Sequence, residues 1–242
     1  MTSSAPRRVG RIASFALVCT LCSCITPTVR KHPELPARLG SVKKIGIMPV
    51  QATVTRVVFT GANESLDPEA AAAGNAIRAE AQNALEARSF AVEVVPLDEE
   101  TYARSPDLRF ETTEVQQAAD VAMIRALRSE STSQAEAFAG MRSVLGETQR
   151  LARLADADVL LFARYSAFSK SSGEVAKDVA ASLAFFAATL GHAYSYSPRR
   201  ESDLVVGLID AASGEVLYVS HSQGDSPDPE GLTQEALEAF RR

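Results

Sequence analysis

The 242-residue sequence has no tryptophan, three cysteines, three histidines and 6% aromatic residues. The cysteines are Cys19, Cys22 and Cys24, so the rest of the chain can hold neither a disulfide nor a cysteine metal site, and no metal is expected. No apolar run reaches the roughly 18 residues that cross a bilayer as a helix, which excludes a multi-span membrane protein. Positive charge is also short, with 25 Lys and Arg against 30 Asp and Glu for a net charge of −5. A chain that is acidic as a whole lacks the clustered cations that neutralise phosphates, so no nucleic acid is expected as a partner. No G-x-S-x-G elbow, Walker A loop or G-x-G-x-x-G is present, and with them go a strained nucleophile and the backbone cradles for phosphate. What remains is globular: 46% hydrophobic and 23% charged residues argue against disorder.

The first eleven residues carry Arg7, Arg8 and Arg11 with no acid, and Ile12 to Leu21 is apolar and uncharged. That layout reads as a secretory signal peptide over residues 1–23, because about 15 Å of helix is half of what a retained span needs. The stretch ends Leu21-Cys22-Ser23-Cys24, which resembles the lipobox of bacterial lipoproteins. The resemblance implies cleavage after Ser23, a diacylglycerol thioether on Cys24 and an acyl chain on its new amino group, with no other cofactor. Two or more chains anchor stably, since each buried methylene contributes about 0.8 kcal/mol. Ile25 follows the acceptor instead of Asp, the pattern sorted to the periplasmic face of the outer membrane in a Gram-negative envelope. From Ile25 to Arg38 the chain holds Pro27, Pro33 and Pro36, so residues 24–41 are expected to be a lipidated cysteine and an extended tether, about 40 Å at about 3.1 Å per residue. His32 falls in that tether and is expected to be solvated.

Residues 42–242 read as one domain. Ile45-Gly46-Ile47-Met48 before Pro49 predicts a buried strand, and Val54 to Phe59 continues it or forms an edge piece before a turn at Gly61 to Asn63. Ala73, Ile77, Ala81 and Leu85 predict a helix from Pro68 to Arg88, and Phe90 to Val95 a second strand. Pro96 to Thr113 is expected to be a long loop, with the acidic run Asp98-Glu99-Glu100 solvated. Helices follow over Glu114 to Arg128 and Ser133 to Ala155, then a strand over Val159 to Phe168. Asp203 to Asp210 and Glu215 to His221 form a hairpin through Ala211 to Gly214, and a last helix follows Asp228-Pro229. The order predicts an α/β layered sandwich with a mixed, mostly parallel sheet ending in an antiparallel hairpin.

Residues 169–200 interrupt two strands with a helical insertion. Within it Val179, Leu183, Phe185, Phe186 and Leu190 are the candidate interaction residues, with no charge from Val179 to Leu190. Such a helix packs on the sheet, meets a second copy or a partner, or lies in a membrane interface; close-set alanines favour helix association, and scarce cations disfavour the interface.

The phrases KKIGIMPV, LADADVLLFARYSAF and DLVVGLIDAASGEVLYVS are similar to envelope lipoprotein domains: curli-secretion-channel lipoproteins, the amino-terminal domain of the Tol-Pal translocation protein, and lipoprotein activators of penicillin-binding proteins. The matching positions are Ile45 to Pro49, Ala157-Asp158 and Leu208 to Val216. The resemblance implies a compact α/β domain used for protein contacts and, in one branch, a ring-forming subunit. That branch forms its pore with long β-hairpins, whereas the insertion here is alanine-rich.

No catalytic residue is expected. In Ser220-His221-Ser222-Gln223-Gly224-Asp225, neighbours along a strand point to opposite faces and do not make a triad. His192 is the other histidine of the body. Asp156, Asp158, Asp203 and Asp210 stand at element ends, where aspartate commonly caps and turns. The reading is a lipid-anchored, non-enzymatic binding or assembly module with an envelope protein or its own copy as partner. The alternatives are a subunit of an outer-membrane export assembly and a hydrolase of a wall or surface polymer.

Overall fold

The computed structural model describes residues 27–58, 60–129, 134–188, 200–238 and 240, the side chains of 134, 135 and 182–188 excepted. In chain order the elements are β1 (Thr28–Lys31), α1 (Leu35–Leu39), β2 (Lys44–Ile47), β3 (Gln51–Val57), β4 (Asn63–Ser65), α2 (Asp67–Glu86) and β5 (Ala91–Val94). Next come α3 (Glu99–Arg104), α4 (Asp107–Arg128), α5 (Gln134–Phe138), a 3-10 turn at Arg142–Val144 and α6 (Leu145–Leu154). The chain continues with β6 (Val159–Lys170), α7 (Ser172–Ala188), β7 (Arg200–Asp210), β8 (Val216–Gly224) and α8 (Pro229–Glu238).

One mixed sheet runs β1-β8-β7-β6-β2-β5, with β3 and its partner β4 off that path. β2 pairs with the first residues of β6 and β3 with its far half, both in parallel. Pro49 lies between them and cannot donate to a ladder, so one edge breaks into two strands; its carbonyl accepts from Gln116 Nε2 at 3.0 Å. The sheet is mixed as the sequence predicts, with three parallel and four antiparallel pairings among the described strands.

Alternation along the strands makes two cores. Leu161, Ala163 and Tyr165 face α2 and α8, while Leu160 and Phe162 face α4, α5 and α6. The predicted stripe of α2 is buried, Ile77 and Leu85 completely, and each such side chain stabilises by about 1.5–3 kcal/mol. α8 is held by the Tyr218 hydroxyl, which donates to the Ala236 carbonyl, and by Phe240, whose ring lies 5.2 Å from Tyr218 and 6.0 Å from Phe90.

Five expectations are corrected. The tether is structured from Thr28 on: β1 pairs with β8, Thr28 opposite His221 and Lys31 opposite Tyr218, and Leu35 and Leu39 are 3% and 5% exposed. The prolines permit this because Pro27 and Pro33 flank β1 and Pro36 lies in the first turn of α1, positions that need no N–H. His32 is accordingly no solvated linker residue; its N–H donates to the Leu217 carbonyl at 2.9 Å and its ring meets Phe138 edge-on at 5.4 Å. The loop over Pro96 to Thr113 is instead α3 and the start of α4. Asp98 caps α3, accepting from the Thr101 N–H at 2.7 Å, and Glu99 and Glu100 sit in the first turn, where a helix favours acids. The helix over Ser133 to Ala155 is broken at Ala139 to Met141: Gly140 lies so close to Gly214 that a side chain would meet the Gly214 carbonyl, which accepts from the Met141 N–H at 2.9 Å. Asn63, expected in a turn, begins β4.

Candidate functional site

The sequence phrases that resemble envelope lipoproteins converge at the end of the sheet where β2 and β6 begin. Asp158 Oδ2 accepts from the N–H groups of Lys43 and Lys44 at 2.8 and 3.1 Å, and the Asp158 carbonyl accepts from Ala211 N–H at 3.0 Å. Asp210 Oδ1 accepts from the N–H groups of Ala212 and Ser213 at 2.9 and 2.7 Å and from Ser213 Oγ at 3.0 Å, closing the turn that Gly214 completes at φ +68°. Arg38 Nη1 reaches Glu215 Oε2 at 2.6 Å and ties α1 to the same turn. A cavity of about 660 Å³ lies among these groups, lined also by Arg153 and Asp156. Asp158 and Asp210 thus each commit one carboxylate oxygen to holding backbone donors in place, a structural duty.

A second cluster lies on the α4 face, where β6, β7 and β8 run past the helices. His221 Nε2 and Asp203 Oδ2 are 2.7 Å apart, Gln223 Nε2 donates to the same oxygen at 3.4 Å, and Arg164 approaches Asp120 at 3.7 Å. The hydrogen bond to Asp203 holds His221 above its ordinary value of 6.5 against the opposing effect of burial. Burial alone would raise Asp203, but its hydrogen bonds and the charges of His221 and Arg164 bring it below its ordinary 3.8. Burial raises Asp120 despite Arg164. None of Ser166, Ser220 and Ser222 completes a Ser-His-Asp relay: Ser166 lies opposite Asp203 in the ladder, with the acid between it and His221, and Ser220 and Ser222 are buried beneath the other face. The sequence reading kept Asp203 and His221 apart as element ends. Their pairing depends on the register of β7 and β8, Val205 opposite His221, and no local pattern encodes it.

Of the candidate interaction residues, Val179 is 41% exposed on α7. Leu183, Phe185 and Phe186 belong to α7 with side chains outside the description, and Leu190 and Cys24 lie outside the described residues altogether. His192 does too. α7 is tied to the strand before it by Lys170 and Asp178 at 2.6 Å. Among the described residues no helix is long and apolar enough to cross a membrane, and no group of His, Cys, Asp and Glu is arranged to hold a metal ion.

Comparison with protein-family profiles and with curated sequences finds no match. Among solved structures the chain is similar to two crystal forms of a PelC dodecamer from Paraburkholderia phytofirmans, one of them a point variant. The identities are 13% and 12% and the TM-scores 0.40 and 0.39, over 90% of this chain and 99% and 100% of those. It is also similar to the LpoB C-terminal domain from Salmonella enterica, at 10% identity and TM-score 0.29, over 81% of this chain and 96% of that one. At these scores the likeness is loose.

Proposed function

We propose that this is a lipid-anchored protein of the bacterial cell envelope, at the periplasmic face of the outer membrane, that acts as a non-catalytic binding or assembly module for another envelope protein or for its own copies. The observation that carries the reading is the place of the lipobox: Cys24 stands four residues before Thr28, where the sheet begins. Four residues reach at most about 14 Å, so a diacylated Cys24 holds the folded body against the bilayer. On this reading, the end that faces the bilayer follows from the antiparallel pairing of β1 with β8. The chain ahead of Thr28 leaves β1 towards the end where β8 finishes, β7 begins and β6 passes into α7. The commitment of an oxygen of Asp158 and of Asp210 to backbone donors supports a binding role over hydrolysis.

Replacing Cys24 with Ser is expected to abolish acyl labelling, block cleavage by the lipoprotein peptidase and move the protein from the outer-membrane to the soluble fraction on density fractionation. Acyl labelling that persists in the Cys24→Ser protein would refute the anchor.

A further inference from the structure

Two large apolar side chains of α4 face solvent, Phe110 at 66% and Val121 at 58% exposed. About three helical turns separate them, so both lie on the outer side of α4, about 16 Å apart. Steps of three and four residues set Asp107, Glu114, Gln117 and Arg125 in the same stripe. Its first half is acidic and its second half basic. Asp107, Glu114 and Arg125 make no ion pair among the described residues. Beside Val121 a cavity of about 330 Å³ opens between α4 and the 3-10 turn, with Ala118, Ala122, Met141 and Val144 as its apolar lining.

The stripe is complementary to itself. Phe110 and Val121 are equally far from the point between Val115 and Gln116, as are Glu114 and Gln117, and Asp107 and Arg125 are so to within half a residue. An antiparallel copy of the helix centred on that point sets Phe110 against Val121, Glu114 against Gln117 and Asp107 against Arg125. A parallel copy would set like charges together, which is unfavourable.

The course of α4 suits such a pair. The helix crosses the sheet instead of following its strands: Gln116 meets the Pro49 carbonyl beyond β2, Asp120 meets Arg164 of β6, and Met123 lies over Gly207 of β7, where a side chain would strike its sulfur. Its contacts extend to β8 and β1, following the order of strands in the sheet. A two-fold axis that relates antiparallel helices packed face to face is perpendicular to them and to the line joining them, and here it runs along the strands. Both copies then turn the Thr28 end of β1 to the same side, where one bilayer can hold both anchors.

We propose that α4 pairs with α4 of a second copy, antiparallel about that axis, with Phe110 of each copy seated in the cavity beside Val121 of the other. The inference rests on the reading of the protein as an assembly module and gives it a surface. The contact is isologous, so it closes as a dimer. Any association through α7 is a separate contact that would join such dimers.

The test is sedimentation equilibrium of the full chain in density-matched detergent. Phe110→Glu and Val121→Glu are each expected to halve the mass, weakening the pair about a hundredfold because each contact occurs twice. Both residues are exposed, so the far-ultraviolet circular dichroism should stay unchanged. Asp107→Arg and Arg125→Asp are each expected to weaken the pair about fivefold, and the double variant to restore it to within about twofold. A parent chain that is monomeric at all concentrations overturns the proposal. A mass unmoved by Phe110→Glu and Val121→Glu also overturns it and assigns association to another surface. Charge reversals that weaken the pair without recovery in the double variant overturn the antiparallel register. A monomeric parent that captures a different envelope protein, and loses it in Phe110→Glu, overturns the self-pairing and leaves the module reading in place. Release from the membrane in Cys24→Ser protein bears on the anchor alone.

Discussion

The pairing of His221 with Asp203 ties the stability of the β7–β8 hairpin to pH. His221 is held above 6.5, so its contribution is complete below that value and is lost as pH rises through the raised one. Asp203 is held below 3.8, so its contribution is present above that value and is lost as pH falls through the lowered one. The pair therefore stabilises most between these two ordinary values. The melting temperature is expected to fall as pH rises above 6.5 through the raised His221 value, and the slope should flatten in His221→Gln. A slope unchanged by that substitution assigns the dependence to other groups. Both side chains are less than a third exposed, at 28% and 30%, which shields the pair from the screening that weakens surface ion pairs.

At the scale of elements, β1 and α1 test how far the sheet depends on the proline-containing segment. A protein beginning at Arg38 lacks the four residues that pair with β8 and the buried Leu35, a side chain whose loss alone costs about 2–5 kcal/mol. Its urea midpoint is expected to fall well below that of the full chain, with aggregation through the exposed edge of β8; a midpoint equal to the full chain's would show β1 to be dispensable. This segment also shows where the sequence was readable. The stripes of α2 and α8 and the strands β6, β7 and β8 follow from periodicity, because each buries a continuous apolar set. β1 does not, since its burial is slight and its place comes from ladder bonds to a strand far along the chain. α3 was hidden because its signal is a single cap at Asp98, and the break before α6 because it answers to Gly214, a contact across the fold. Tyr165 read as one apolar strand position among several; that its buried hydroxyl has no hydrogen-bond partner among the described residues is a property of the packed core.

At the scale of the whole molecule, α7 carries the question of association. Glu174 is 8% exposed and Val179 41%, so the described part of the helix turns a polar group inward and an apolar one outward. Phe185→Glu with Phe186→Glu is expected to leave the melting transition in place and shift the protein to a smaller species by light scattering after size exclusion. A collapsed transition would instead place both rings in the core, where two buried carboxylates cost several kcal/mol; an unchanged mass with an unchanged melt would end the claim of self-association through α7. The pairing of β1 with β8 also governs the order of folding. The two strands are roughly 190 residues apart, and closing so long a loop delays the contact. The central strands and their helices can condense before β1 finds its edge, so Thr28–Lys31 is the last strand to be fixed. Until β8 has folded, Thr28–Lys31 has no ladder to join and stays open to peptidases, which completion of the sheet then shuts out.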